Sequence, residues 1–362
     1  MTVELKKQTL VGVFNKVAPV NPFFSSMFAT PRSNLIDSET VHMDFQSNDR
    51  RVSIAVPGIR STARVHEMTQ FVNKELPFVV HNDSFVLDAY QMFGRNPGVD
   101  PFRKTDNMAT AIRRVRAETR MLLDAIRRAN ELYCSQILQT GIVNAVDAAG
   151  NTMYTVDFNL KPSHKLTAPV AWNNAAADIV SDLDNANTVV LNDSFESCNQ
   201  AIFGRLAYKY FLENDAIKER LNFRRANTIN VVPQRPVGAG AKFRGQIDLG
   251  ETIVDILTYD GRYKDPQTGT VTPYMNEKLV IMRNSAARMD GFMGEVPRLG
   301  NPEGQVLRYL PQRVPNFQAG LYTHMNAKLT DNLMALEVEV MVRNAFQPTD
   351  RDSFAIIDTQ IP

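Results

Sequence analysis

The chain has 362 residues, and 40 Lys and Arg stand against 39 Asp and Glu, which gives a formal net charge of +1. This balance argues against a chain devoted as a whole to binding nucleic acid, and 44% hydrophobic with 22% charged residues excludes fibrous and largely disordered proteins. No signal peptide or run of 18 apolar residues is visible, so we expect a soluble intracellular protein of about two domains. Two cysteines, Cys134 and Cys198, are too few for a disulfide scaffold or a four-thiolate zinc site.

Residues 1–40 form an unusual leading segment. The segment mixes prolines, which fix an extended or turned path, with aromatic residues that need burial: Pro19, Pro22, Pro31, Phe23, Phe24 and Phe28. It is too short to bury these rings on itself. Two interpretations stay open: the segment packs on its own domain, or it is an arm whose three phenylalanines pack on a neighbouring subunit.

Residues 41–56 alternate apolar and polar side chains, which predicts a strand. A turn at Pro57-Gly58, a mostly polar stretch at 59–76 and a second extended piece at 77–87 follow. A long two-stranded ribbon with so little apolar surface is marginal alone. We therefore expect this ribbon to lie on another surface.

The clearest element is a helix predicted over residues 105–140. Its apolar stripe alternates spacings of four and three, with Thr119 completing it: Met108, Ile112, Val115, Leu122, Ile126, Ala129, Tyr133 and Ile137. Thr105 or Asp106 supplies an N-cap, and Gly141 is a good stop. Such a helix is roughly 50 Å long at 1.5 Å per residue.

The first part of this helix is locally basic. Residues 103–128 carry eight cations and three carboxylates, a net charge of +5. One interpretation is a solvated face with salt bridges to acidic neighbours. The other is a face turned toward a polyanion such as DNA, with four candidate contact residues: Arg113, Arg116, Arg120 and Arg127.

The rest of the chain mixes helices and strands, so we predict an α+β fold. Residues 142–160 predict a hairpin, and Trp172 precedes a helix predicted at 175–187. A buried strand is predicted at 188–191 and further helices at 194–205 and 212–221. The last strong element alternates apolar Leu336, Val338, Val340 and Val342 with mostly charged residues, which predicts a half-buried strand.

The search for chemistry finds no catalytic, metal or cofactor site. The five histidines lack metal-ligand spacing, and no nucleophile elbow or phosphate loop occurs. Gly238, Gly240 and Gly245 predict a mobile loop. Asp178 and Asp182 share a helix face with Asp184 nearby, which favours a solvated helix end over a metal site. We therefore predict neither an enzyme nor a bound cofactor.

The order of these elements resembles that of the major capsid proteins of tailed bacteriophages, and within them the lambda-type major capsid protein E family. The resemblance spans about residues 20–345. The stretches that carry it are NPFFSSMFATPRSNLIDSETVHMDF, RRVRAETRMLLDAIRRANELYCSQILQTGIV, TVDFNL with AWNNAAADIVSDLD, and LENDAIKERLNFRR.

The resemblance implies a Hong Kong 97-type capsid fold with five parts. These are an N-terminal arm at 1–40, an extended loop at 41–92 that contacts a neighbour through Arg60, Arg64 and Glu67, a peripheral domain at 93–180 with its spine helix at 105–140, an axial domain at 181–330, and a strand at 331–362 that returns to the peripheral domain.

The implied function is structural: hexamers and pentamers of the chain form an icosahedral shell around double-stranded DNA. The implied partners are portal, scaffolding and decoration or cement proteins, with sequence-nonspecific DNA and no membrane. The implied location is the virion capsid, with assembly in the host cytoplasm. An encapsulin-like compartment that encloses protein cargo shares the fold and is the alternative, and a two-domain enzyme is a third hypothesis without a recognisable site.

Overall fold

The computed structural model describes residues 23–46, 71–88, 107–146, 150–218, 236–238, 240–295, 317–318, 321–329 and 335–361. The helices in these ranges are α1 (Asn107–Thr140), α2 (Ile179–Ser194) and α3 (Arg205–Glu213). The strands are β1 (Leu35–Ile36), β2 (Thr40–Gln46), β3 (Phe71–Pro77), β4 (Val79–Asp88), β5 (Ile142–Val146), β6 (Thr152–Asp157), β7 (Lys165–Thr167), β8 (Gln200–Phe203), β9 (Pro236–Gly238), β10 (Ala241–Asp248), β11 (Ile253–Tyr259), β12 (Arg262–Lys264), β13 (Val271–Pro273), β14 (Leu279–Arg283), β15 (Asp290–Gly294), β16 (Phe317–Gln318), β17 (Leu321–Leu329), β18 (Ala335–Gln347) and β19 (Phe354–Asp358).

The predicted long helix is confirmed as α1, whose 34 residues extend for about 51 Å. Its buried side is made of small and apolar residues at helical spacing: Ala111, Val115, Thr119, Leu123, Ile126, Cys134, Ile137 and Leu138. The predicted stripe is displaced by one residue at two places, since Leu123 and Cys134 are fully buried in place of Leu122 and Tyr133. The helix ends at Gly141, whose φ of 72° favours glycine.

One face of α1 packs on a six-stranded sheet. The strand order is β1-β15-β18-β17-β16, and β4 pairs with the other edge of β18. The predicted alternation in β18 is confirmed, because Val338, Val340 and Val342 are fully buried while the residues between them are less so. These valines pack against Val115 and Leu123 of α1. The burial of these three valines holds α1 on the sheet through apolar contact.

The second sheet has seven strands in the order β7-β19-β14-β8-β11-β10-β9. Helices α2 and α3 pack on it through a core that includes Trp172, Leu183, Phe203 and Phe211. β18 and β19 follow one another in the chain but lie in different sheets. The segment 331–362, predicted to return to the peripheral domain, is therefore shared between both sheets.

The extended ribbon differs from the prediction in its returning strand. β2 pairs with β3 from Thr40 opposite Pro77 to Gln46 opposite Phe71. The returning strand thus begins at Phe71 and not at residue 77, and the piece predicted at 77–87 is β4, which pairs with β18 instead. The hairpin predicted at 142–160 is confirmed as β5 and β6.

Two predictions between residues 188 and 205 are wrong. The helix α2 runs from Ile179 to Ser194, so the strand predicted at 188–191 is helical. The helix predicted at 194–205 contains β8 instead, a central strand of the seven-stranded sheet with Ala201, Ile202 and Phe203 fully buried. Both segments contain a short apolar run. Such a run fits a buried strand and a buried helix equally well, so the sequence alone did not distinguish them.

Candidate assembly and nucleic-acid interface

The solvent side of α1 carries a row of arginines. Arg113, Arg120 and Arg128 are exposed, and Arg116 is half-buried. At 3.6 residues per turn the three exposed side chains lie within an arc of about 80° and extend over about 22 Å of the helix. Arg120 lies 3.7 Å from Asp124, and its side chain remains 56% exposed. Because this row is on the side opposite the sheet, it is available to a ligand outside the subunit.

Arg127 does not belong to this row, which corrects the prediction that it faces a polyanion. Its side chain is 5% exposed, and Nη1 donates a hydrogen bond to Oδ1 of Asp124 at 3.1 Å. By helical spacing position 127 lies about 20° from position 120, but this part of α1 is covered on more of its circumference, and Asn130 and Glu131 are buried there too. The sequence spacing did not reveal this, because a helical period does not show how much of the circumference of a helix is covered at each point along it.

The three phenylalanines of the leading segment are core residues of their own subunit. Phe23, Phe24 and Phe28 are 3%, 0% and 3% exposed. Phe23 and Phe24 lie 5.2 and 4.9 Å from the ring of Tyr259, measured between ring centroids. Of the two interpretations, packing on the same chain is the one observed for these side chains. The prediction that they contact a neighbouring subunit is therefore corrected.

A buried carboxylate holds this segment in place, and the sequence did not reveal it. Glu131 of α1 is 1% exposed, and its Oε1 accepts hydrogen bonds from Phe24 N at 2.7 Å and from the Tyr259 hydroxyl at 2.8 Å. Oε2 accepts from Ser25 N at 2.8 Å. Burial raises the pKa of Glu131, although these hydrogen bonds oppose the rise. One carboxylate thus joins the leading segment, α1 and β11.

The acid cluster at the start of α2 is only partly solvated. Asp178 is the N-cap and accepts a hydrogen bond from Ser181 N, and Asp184 is exposed. Asp182, predicted to be solvated, is 8% exposed and accepts a hydrogen bond from Trp172 Nε1 at 2.8 Å. Burial raises the pKa of Asp182. Among the described residues no group of three His, Cys, Asp or Glu side chains is placed to hold a metal ion.

A second polar network joins the seven-stranded sheet to α2. His164 is fully buried, with Nδ1 at 2.7 Å from the Phe354 carbonyl and Nε2 at 2.8 Å from Oδ2 of Asp193. Lys161 lies 3.2 Å from Asp193 and 3.1 Å from Asp352. With its ring closed off from solvent, His164 is placed to support packing rather than to meet a substrate.

The two cysteines are free and buried in separate places. Burial raises the pKa of both thiols, that of Cys198 to about 12. Both are therefore protonated and unreactive at neutral pH. None of the helices in the described part of the chain is long and apolar enough to cross a membrane. Arg60, Arg64 and Glu67, predicted as contacts of the extended loop, lie outside the described residues.

A long helix on one sheet, a second sheet joined to it and an extended ribbon together define the class of protein, a mixed α+β fold that resembles phage capsid proteins. A capsid protein from a prophage of Escherichia coli CFT073 has the same fold with a TM-score of 0.61 and 16% identity, over 99% of both chains. A phage-related protein from Bordetella bronchiseptica RB50 has a TM-score of 0.52 and 13% identity, over 100% of this chain and 99% of that one. The SrpI encapsulin of Synechococcus elongatus PCC 7942 is more distant, with a TM-score of 0.41 and 12% identity over 99% and 96% of the two chains.

The family follows from the sequence itself. The chain belongs to the phage major capsid protein E family, whose model matches residues 7–297. It is therefore a phage major capsid protein, a structural component of the virion capsid from a family of structural proteins and not of enzymes. No curated protein sequence matches the chain.

Proposed function

We propose that many copies of this chain assemble, as hexamers and pentamers, into a closed icosahedral shell that encloses packaged double-stranded phage DNA. The observation that carries the proposal is the family match over residues 7–297. Assembly takes place in the host cytoplasm, with portal, scaffolding and decoration or cement proteins as partners. Many modest contacts per subunit stabilise such a shell through multivalency.

In this proposal the parts of the chain follow the Hong Kong 97 arrangement. The spine helix of the peripheral domain is α1, and the six-stranded sheet beneath it belongs to that domain. The seven-stranded sheet with α2 and α3 forms the axial domain. β2 and β3 form the base of the extended loop, whose residues Arg60, Arg64 and Glu67 contact a neighbouring subunit.

The exposed arginine row of α1 faces the interior in this arrangement and offsets part of the charge of the DNA. Arg113, Arg120 and Arg128 are the contact residues, with Arg116 beside them. Binding through phosphates alone carries no sequence preference, which suits a container. The carboxylate of Asp124 neutralises the row only in part, because it lies near Arg120 alone among the three exposed arginines of the row.

Electron microscopy of the expressed chain, with and without its scaffolding protein, tests the proposal. We expect closed shells of uniform size. Subunits that stay monomeric at high concentration in both samples would contradict it. The alternative, an encapsulin-like compartment, predicts shells that enclose a protein cargo, so mass spectrometry of purified shells separates the two functions.

A further inference from the structure

One edge of the strand β4 has no partner strand in the described part of the chain. All ten of its residues pair with β18, from Val79 opposite Asn344 to Asp88 opposite Ala335, without a register shift. No other described strand pairs with β4. Edge strands are commonly protected from pairing with other chains by charged residues, proline or a bulge; β4 has no lysine, proline or bulge, and its charged residues are Asp83 and Asp88. This edge of β4 can therefore pair with another strand.

The side chains along this edge are open to solvent. Leu87 packs with α1 and the β18 valines, so the alternation of a strand places Val80, Asn82, Ser84 and Val86 on the opposite face. Val80 and Val86 are 54% and 55% exposed, and Asn82 and Ser84 are also exposed. Two exposed valines at the ends of this row are a cost that the side chains of a partner strand would reduce.

The row has a symmetric pattern. On the solvent side it runs valine, asparagine, serine, valine, with Asp83 at its centre in the chain. If two copies of β4 pair antiparallel with Asp83 opposite Asp83, each Val80 lies opposite Val86 of the other copy and each Asn82 lies opposite Ser84. Directly opposite side chains in an antiparallel pair are in contact, so apolar residues meet apolar residues and an amide meets a hydroxyl.

We propose that β4 pairs with β4 of a second copy of this chain about a two-fold axis at Asp83, which joins two six-stranded sheets into one. A two-fold contact uses the same patch on both subunits and therefore requires a self-complementary row. The symmetric pattern selects a second copy over an unrelated strand. The inference rests on the proposed assembly, for which it names one subunit contact.

Asp83 is the unfavourable element of this contact, because the two carboxylates face each other across the axis. Like charges directly opposite in a strand pair destabilise it. Asp83→Asn removes both charges and leaves the shape unchanged. We therefore expect this variant to associate more tightly than the wild type, and the difference to shrink as salt is added.

Cysteine cross-linking tests the register. Opposite residues of an antiparallel pair have Cα atoms about 4.5–5.5 Å apart, within the range of a disulfide. Asp83→Cys should form a disulfide-linked dimer on mild oxidation. Asn82→Cys and Ser84→Cys should each stay monomeric alone and link when the two variants are mixed. The native thiols, Cys134 and Cys198, are buried and give a low background.

Each outcome of the cross-linking either supports or overturns the pairing of two β4 strands at Asp83. The expected pattern in both free subunits and particles supports the two-fold pairing. A dimer from Asn82→Cys alone, with none from Asp83→Cys, places the axis elsewhere and overturns the register. Closed wild-type shells whose Asp83→Cys variant does not link overturn this contact and leave the proposed function standing. A wild type that forms no shells tells against the proposed function instead.

Discussion

The carboxylate of Glu131 accepts a hydrogen bond from the backbone N–H of Phe24 at 2.7 Å, across 107 residues of sequence. The same carboxylate binds Ser25 N and the Tyr259 hydroxyl. A position in the C-terminal half of α1 thus fixes Phe24 and Ser25 against the seven-stranded sheet. Because no cationic side chain is paired with Glu131 among the described residues, these three donors carry its stabilisation.

Glu131→Gln should destabilise the subunit by about 1.5–3 kcal/mol, the range for hydrogen bonds to a charged group. The amide presents its own N–H groups to a donor, so at least one of the three hydrogen bonds is lost. Urea unfolding of the unassembled subunit measures the change. Glu213→Gln, on an exposed side chain of α3, is the matched control and should change stability by less than about 0.5 kcal/mol.

Phe24→Ala should lower the free energy of unfolding of the isolated subunit by about 3–5 kcal/mol, because a fully buried ring is removed from a packed core. Met121→Ala, on a side chain that is 63% exposed, is the control with little effect expected. Thermal or urea unfolding before assembly measures both. If the Phe24→Ala subunit kept wild-type stability and failed only in assembly, the result would indicate that Phe24 contacts a neighbouring subunit.

Asp193→Asn should show a pH-dependent loss of stability. Partial burial would raise the pKa of Asp193, but hydrogen bonds and charge from His164 and Lys161 outweigh it and hold the pKa below the usual 3.8. A lowered pKa means that the ionised form stabilises the fold above pH 3.8 and that this contribution is lost as the pH falls through the folded-state pKa. We expect the variant to be about 1 kcal/mol less stable at pH 7.

The measurement is urea unfolding of wild type and Asp193→Asn at pH values from 7 down to 3. The two curves should converge toward the acid end. Asp184→Asn, on an exposed residue of α2, serves as the control. A difference that stays constant across this range would mean that the ionisation of Asp193 plays no part.

Replacing Arg113, Arg120 and Arg128 with Gln should reduce retention of packaged DNA. The change removes three cations that neutralise phosphates in the proposed function, and it leaves the buried side of α1 untouched. Heating purified particles with a DNA-binding dye measures the release temperature, which should fall. The control replaces Lys209, Lys218 and Lys242 with Gln, exposed cations outside α1. Equal release in both variants would show that only the net charge matters.

Deleting residues 59–70 should leave a folded subunit that does not form stable shells. The boundary respects β3, which begins at Phe71 and pairs with β2. Replacing Arg60, Arg64 and Glu67 with Ala is the milder version, with a partial loss of shells expected. Circular dichroism reports folding, and sedimentation reports assembly. A deleted chain that is insoluble would mean that this segment belongs to the core.

Some of this fold could be predicted because local and tertiary signals agree. The helix α1 follows from its apolar period and from Gly141, and β18 follows from its alternation, because each element buries one side on the other. Thr188, Val189 and Val190 show the opposite case. Their β-branched side chains favour a strand, yet they continue α2, which Asp178 caps and which buries Val190.

The candidate site was harder to predict, because charge does not reveal burial. Arg127 and Glu131 are both charged residues on α1 and look like parts of a solvated face in sequence. Both are buried in the fold, and Glu131 is met there by Phe24 and Tyr259. Such partners are distant in sequence, and periodicity carries no information about them.

The connection between β18 and β19 has a mechanical consequence. β18 is the central strand of one sheet and β19 an inner strand of the other, and only residues 348–353 separate them. Asp350 in this short link accepts a hydrogen bond from Arg288 N and donates one to the Arg288 carbonyl. Outward pressure on a closed shell pulls neighbouring subunits apart. Such tension on either sheet is passed through this link to the other, so that a subunit under load stretches as one body.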